Sequence, residues 1–479
     1  MQVRRRCAWP RDDAGPRGLA ALIAAVLLLA ATWAALIPPW QVPDENSHFA
    51  YAQGLEERGE RPRDDLRSSL YSSEHRLATD RANAEQTAFN AATKPEWSRT
   101  AFERWKRDEA ALPPGRRANG LGPNPARLNP PLYYAYAAVP YLAATGGTIF
   151  DRLYLMRLWS ALLLVVTVGA TWRLAGEVFG RDPIRQLAAA GVAGLQPMVT
   201  FITAGVHPDG MVIALWSVAL WLGAAVIRRG PGLRRSAALL AVTALAVATK
   251  PVSVALVPAV LLAFAVGLRR RRGRTRESPV VLALACAGAL GAMAAAALVA
   301  LRLRGAPVDP RLTASYLWQF YLPALPGQKH FSGFTGLPVY EIWLKTSWAA
   351  FGWFEVRFPE PVYLALAVLT AGVIAAALVA GWRHRSRVDA AVVAFCALAG
   401  LTLLLFLHAA EAASLTRGNG AISQGRYLLP LVSLGGLALA GALTLLPPAR
   451  RALALAAALG GLVVLQVASL ALVLGRFYA

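Results

Sequence analysis

The chain has 479 residues, is 56% hydrophobic and has a mean hydropathy of +0.44. That is too apolar for a soluble protein and fits a polytopic membrane protein. The formal net charge of +22 does not imply a nucleic-acid partner, because the basic residues stand in short clusters between apolar runs, where the positive-inside rule expects them.

The N-terminal tail, 1–17, carries Arg4, Arg5 and Arg6 and is expected in the cytoplasm. The run 18–38 is long enough to span and lacks a small-residue cleavage site. Pro38 and Pro39 end it, and the stretch 38–49, PPWQVPDENSHF, presents Asp44, Glu45 and, one helical turn on, His48. Two adjacent carboxylates where a span meets water cost free energy unless they are used or well solvated. The plain alternative is a loop in which Asp44 caps a helix starting after Pro43.

Residues 39–151 form the first large extracytoplasmic loop expected here. Its middle, 64–111, is charged and helix-compatible, whereas 113–131, rich in Gly, Pro and Asn, reads as irregular. The segment 131–148 is aromatic, contains Pro140 and ends in Gly-Gly. A full crossing there would place the cluster RRGPGLRR, 228–235, outside the cell, so the segment is expected to be interfacial or re-entrant.

Spans two to seven are expected within 152–301, near 152–172, 186–204, 210–227, 236–249, 252–268 and 279–301. The shortest two are separated only by Lys250-Pro251. A second extracytoplasmic loop, 302–359, holds GQKHFSGF and the aromatic stretch EIWLKTSWAAFGWF. Spans eight to eleven fall within 360–479, near 360–382, 389–408, 428–446 and 452–474, with the loop GNGAISQGRY (418–427) before the tenth. The clusters at 269–276, 383–387 and 450–451 then all face the cytoplasm. The expected fold is an all-α polytopic plasma-membrane protein of about eleven transmembrane helices plus one interfacial segment. Cys7, Cys286 and Cys396 lie in the tail or in spans and staple no loop.

Under this topology a set of unusual side chains shares the extracytoplasmic surface. Asp44, Glu45 and His48 follow the first span, and Asn129, Tyr133 and Tyr134 open the interfacial segment. Arg157 starts the second span, and His207 and Asp209 sit in GVHPDGM. Lys250 lies between two spans, and Gln424, Arg426 and Tyr427 open the tenth. Carboxylates serve as general bases or metal ligands, and isolated cations at the hydrocarbon boundary hold lipid phosphates. No cofactor is required by these residues, but Asp44, His48 and Asp209, with His207 beside them, also suit a divalent metal by donor type, although no close-spaced ligand motif marks it. Each member has a duller use as a helix cap, a snorkelling cation or part of an aromatic belt. No Walker loop, HExxH, GxSxG, zinc cluster or dinucleotide fingerprint is present.

The order PPxxxPDExxH (38–48), NPPLYY (129–134), RLxS (157–160), HPDG (207–210), Thr249-Lys250 and QGRYLLP (424–430) resembles the bacterial membrane-protein family called domain of unknown function 2142. That family is similar to the GT-C superfamily of polytopic glycosyltransferases. The resemblance covers roughly residues 18–450, and PDExxH and QGRYxxP are its more specific elements. It implies a GT-C-like fold and a polyprenyl-phosphate-linked sugar as donor. It further implies an envelope glycan, lipid or protein acceptor and a first-loop acid, Asp44 or Glu45, acting as base or metal ligand. Asp209 matches a second acid that some members carry in the next external loop. Two other readings remain at this stage, a polymerase or ligase of lipid-linked oligosaccharides and a transporter or flippase. The near absence of charge at the centres of the spans disfavours transport.

Overall fold

A computed structural model describes residues 14–63, 69–96, 98–273, 277–303, 309–328, 331, 336–418 and 423–479. Arg4, Arg5, Arg6 and Cys7, residues 274–276 of the 269–276 cluster, most of GQKHFSGF and residues 419–422 lie outside the described residues.

Among the described residues the regular structure is helical apart from one antiparallel bridge, Phe351–Val356. The first helix, α1 (Ala14–Leu36), stops before Pro38-Pro39, as a helix must where backbone donors run out. A layer of short helices follows: α2 (Glu45–Arg58), α3 (Ser73–Arg81), α4 (Ala84–Phe89), α5 (Arg99–Ala110) and α6 (Leu132–Ala143). The bundle continues with α7 (Ile149–Ala161), α8 (Leu163–Phe179), α9 (Pro183–Leu195), α10 (Pro197–Thr203), α11 (Pro208–Arg229), α12 (Leu233–Thr249), α13 (Val257–Arg271) and α14 (Pro279–Leu303). After α15 (Pro310–Tyr321) and the single turn α16 (Lys345–Trp348) come α17 (Glu360–Arg383), α18 (Ala390–Thr416), α19 (Val432–Ala442) and α20 (Pro448–Phe477).

Nine helical segments among the described residues are long and apolar enough to cross a membrane, and α9–α10, bent by 55°, makes a tenth. The expected count of eleven is not confirmed: α12, with 17 residues, is only about 26 Å of helix against a hydrocarbon core of about 30 Å, although it runs back along α11 far enough for Lys250 to meet Asp209. The expected interfacial segment is α6, whose 12 residues extend only about 18 Å and are too short to cross.

α11 is apolar all round and the most enclosed of these spans, most of its side chains being buried. Hydroxyls knit it to its neighbours, as Thr171 of α8 meets Ser433 of α19 at 2.7 Å and Ser433 donates to Ser217 of α11 at 2.9 Å. Gln466 of α20 accepts from Trp33 at 2.7 Å and donates to Leu195 O and Thr200 Oγ1 at 3.1 and 2.8 Å.

The layer 39–151 is docked on the bundle rather than hung from it. α7 carries two fully buried arginines, each facing a buried acid of that layer. Arg152 meets Glu74 of α3 at 2.6 Å and Tyr141 of α6 at 3.0 Å, and Arg117 adds a second contact to Glu74 at 3.1 Å. Arg157 meets Glu45, as described below.

His75 of α3 is fully buried, stacked on Trp40 at 5.0 Å, and neither ring nitrogen has a hydrogen-bond partner among the described residues. Burial pushes its pKa from 6.5 down to about 3. The folded state therefore excludes the charged form, its stability is full above pH ~6.5 and falls as acid protonates the unfolded chain. His75→Phe is expected to retain a larger share of its pH 7 thermal stability at pH ~4.5 than wild type does. Thermal shift in detergent at the two pH values checks this, and an equal acid loss in both proteins would show that His75 does not titrate on unfolding.

Candidate active site

Four helix junctions converge at one end of the bundle. At the first, the chain leaves α1 through a corner in which Trp40 and Asp44 are both left-handed, each with φ 61°, a conformation costing about 1–2 kcal/mol for a residue with a Cβ. Asp44 stands at the start of α2, but its side chain caps nothing. It accepts instead from Arg426 Nη2 at 2.7 Å, and its carboxylate stays 42% exposed. His48, one turn into α2, shares Nδ1 with the Tyr134 hydroxyl at 2.9 Å, and Asn129 donates to that same hydroxyl at 3.1 Å.

At the second junction, His207 caps α11 by accepting from Asp209 N–H at Nδ1, 3.1 Å away, with Pro208 in the first helical position. Gly205 lets this corner close on the first, because a Cβ there would lie 2.7 Å from Val42 Cγ1. The His207 and His48 rings sit edge to face at 4.5 Å. Lys250, at the third junction between α12 and the 3-10 helix Pro251–Leu256, donates to Asp209 at 2.6 Å. The fourth is the 3-10 helix Gly425–Leu431, which bears Arg426. Gly425 is required there, since a Cβ would collide with Trp343 O and Ser347 N. Tyr427 lies under both cations, 5.1 Å from Lys250 Nζ and 5.4 Å from the Arg426 guanidinium.

Arg426 is 5% exposed. Nη2 holds Asp44, Nε reaches only Asp209 at 4.0 Å, and neither Nε nor Nη1 has a hydrogen-bond partner among the described residues. Burial opposes the charge on Asp44, but the neighbouring cations, Arg426 foremost, outweigh it and hold the carboxyl below its ordinary value. His48 is driven by burial to about 4, and His207 well below 6.5 by burial and by Arg426 and Lys250, so both are neutral near pH 7. Because Asp209 N–H occupies His207 Nδ1, the ring proton sits on Nε2, which is buried and without a partner among the described residues. The site thus offers unused donors on Arg426 and His207 beside one accessible carboxylate, near the N-terminus of α11.

The metal expected on Asp44, His48 and Asp209 meets a different arrangement. The ligand atoms that lie within 4.8 Å of one another belong to Asp44, His48 and His207, while Asp209 is taken by Lys250. Arg426 holds one Asp44 oxygen and Asp209 N–H occupies His207 Nδ1, so a cation on this trio would compete with both contacts.

Several expected site residues face elsewhere. Glu45 is fully buried and takes Arg157 at 2.8 and 2.5 Å, Trp40 N–H at 3.0 Å and Val206 N–H at 3.0 Å. Arg157 spends its remaining donors on the end of α1, at Ala34 O (3.1 Å), Ile37 O (2.6 Å) and Pro38 O (2.9 Å). All five guanidinium N–H groups are thereby used, and Arg157 has none left for a lipid phosphate. Tyr133 is fully buried against Ser160 at 3.1 Å. Gln424 is half-buried beside the cluster with Oε1 unpartnered among the described residues. Sequence reasoning marked the aromatics of 318–354 only as a group and missed that Phe354 lies 5.8 Å from the Arg426 guanidinium, and it missed the Glu74–Arg152 pair.

The fold is similar to two crystal structures of ArnT from Cupriavidus metallidurans. The apo state matches at 15% identity and TM-score 0.44, and the state bound to undecaprenyl phosphate at 16% and 0.43. Each match covers 92% of this chain and 63% of ArnT, so the chain spans less than two thirds of that protein's length. No curated protein matches the chain. Residues 27–434 match the family described as "Predicted membrane protein (DUF2142)", and the chain belongs to that family.

Proposed function

We propose that this protein is a membrane glycosyltransferase of GT-C type. It transfers a sugar from a polyprenyl-phosphate donor to an envelope glycan, lipid or protein acceptor at the extracytoplasmic face. One observation carries the reading: a buried guanidinium, Arg426, whose Nε and Nη1 have no partner among the described residues, grips the accessible carboxylate of the site, Asp44, at 2.7 Å. A buried cation with spare donors calls for an anion, and a carboxylate beside it suits a nucleophile approaching that anion's carbon.

The acceptor hydroxyl oxygen attacks the anomeric carbon as the bond from that carbon to the phosphate oxygen breaks, with inversion. The hydroxyl proton goes to Asp44 and the bonding pair leaves with the lipid phosphate. Arg426 Nη1 and Nε and the His207 Nε2–H receive the charge that grows on the phosphate. Lys250 holds Asp209 in place and adds positive charge. Because Asp44 is held below its usual pKa it is a weak base, so the proton reaches it late, as the bond from the anomeric carbon to the phosphate breaks. No step is routed through a metal.

Native mass spectrometry with undecaprenyl phosphate tests the phosphate site. Wild type is expected to bind it, and Arg426→Gln to weaken binding about 10-fold or more, as loss of a charge-assisted pair should. Equal binding by both proteins would remove Arg426 from the phosphate site.

A further inference from the structure

On the other side of the Pro38–Asp44 corner, a cavity of about 400 Å³ opens between α5, α7 and the end of α1. Its walls are aromatic, with Phe102 and Trp105 from α5 and Phe150 and Tyr154 from α7. Trp105 is 2% exposed, yet its indole N–H has no hydrogen-bond partner among the described residues. A buried donor left unused costs free energy, so an occupant carrying an acceptor would relieve it. Phe102 itself is 43% exposed, so the cavity has an uncovered apolar lip.

The cavity continues towards lipid. From Tyr154, four-residue steps along α7 and α8 lead to Leu158, Leu162 and Val166, which are 44%, 44% and 42% exposed. Residues four apart lie along one side of a helix, so an apolar stripe runs from the cavity wall down the span Ile149–Phe179. An occupant with a long apolar chain can follow it.

The rim selects the other end of such a molecule. Arg81 is matched by Asp108 at 2.6 Å. Glu96 and Arg99, three positions apart, are exposed, and neither forms an ion pair among the described residues. One free carboxylate beside one free guanidinium complements a zwitterion, whereas a purely anionic headgroup would also meet Glu96.

We propose that this cavity binds a zwitterionic aminophospholipid of the surrounding leaflet. Its acyl chain lies along the Tyr154–Val166 stripe and its ester carbonyl accepts from Trp105 Nε1. Its phosphate meets Arg99 and its ammonium meets Glu96. The site is separate from the sugar-transfer site and does not rest on that reading.

The test uses the full chain in detergent, titrated with phosphatidylethanolamine, phosphatidylglycerol or diacylglycerol and followed by native mass spectrometry. Wild type is expected to bind phosphatidylethanolamine about 10-fold more tightly than either other lipid. Ala101→Trp, which fills the cavity, is expected to lower that affinity about 10-fold. The exposed pair Glu96→Gln with Arg99→Gln, chosen because it leaves the core alone, should abolish the headgroup preference while the chain still binds. The proposal is overturned if Ala101→Trp binds like wild type, if diacylglycerol binds as well as phosphatidylethanolamine, or if phosphatidylglycerol binds best.

Discussion

Asp44→Asn is expected to lower sugar transfer about 10²–10⁴-fold, the usual consequence of losing a general base, while the protein still inserts and folds. The physical ground is the contrast between two neighbouring acids. Asp44 is 42% exposed and, among the described residues, bonded only at one edge, to Arg426. Glu45 is fully enclosed and bonded on both oxygens. An amide at position 44 keeps an acceptor oxygen for Arg426 but can take no proton from an attacking hydroxyl. The pH profile provides a second readout. Asp44 titrates below its ordinary value and His48 near 4, so turnover should be flat from roughly pH 5 to 8 and fall only in stronger acid. An acid limb near pH 6.5 would identify an unperturbed histidine as the working group and contradict the assignment. Near-normal turnover by Asp44→Asn would sink it.

Arg157→Ala should be the most destabilising substitution of those considered, costing about 3–5 kcal/mol, because it strands a buried carboxylate. Three pieces of the site depend on this one guanidinium. It closes the end of α1 through Ala34, Ile37 and Pro38, and it fixes Glu45. Glu45 in turn holds Trp40 and Val206, one residue from His207. Two left-handed residues, Trp40 and Asp44, lie in the corner that this clamp secures. Size-exclusion recovery after heating should fall steeply for Arg157→Ala and for Glu45→Ala. Replacing both, as Glu45→Leu with Arg157→Met, should recover much of the loss, since no charge is then left buried alone. If Arg157→Ala survives heating as wild type does, the clamp contributes little.

The parts of the site that were legible in the sequence are those where polar residues interrupt an apolar pattern beside a helix breaker. Asp44 after Pro43, His207 and Asp209 around Pro208, Lys250 before Pro251 and Arg426 ahead of Pro430 all stand out in this way, and the structure brings them together. The division of labour between Asp44 and Glu45 was not legible. Consecutive positions at a helix start point about 100° apart, and which one meets Arg157 depends on a contact across 112 residues of chain. The same limit hid the use of Arg157, which reads as a boundary cation until its five donors are traced. His207 and Asp209 share one turn, so donor type alone did not tell which of them would turn towards Asp44 and His48. In the fold, apolar runs located the spans, but α12, ended at 17 residues by Lys250-Pro251, is short enough to leave their number unconfirmed.

Envelope glycan composition in a deletion strain, complemented with wild type or with Asp44→Asn, tests the central claim most directly. Sugar transfer predicts that wild type restores a missing linkage. It also predicts that the correctly inserted mutant does not, and that a polyprenyl-phosphate sugar accumulates. Full complementation by Asp44→Asn would contradict the account and favour a transport or assembly role.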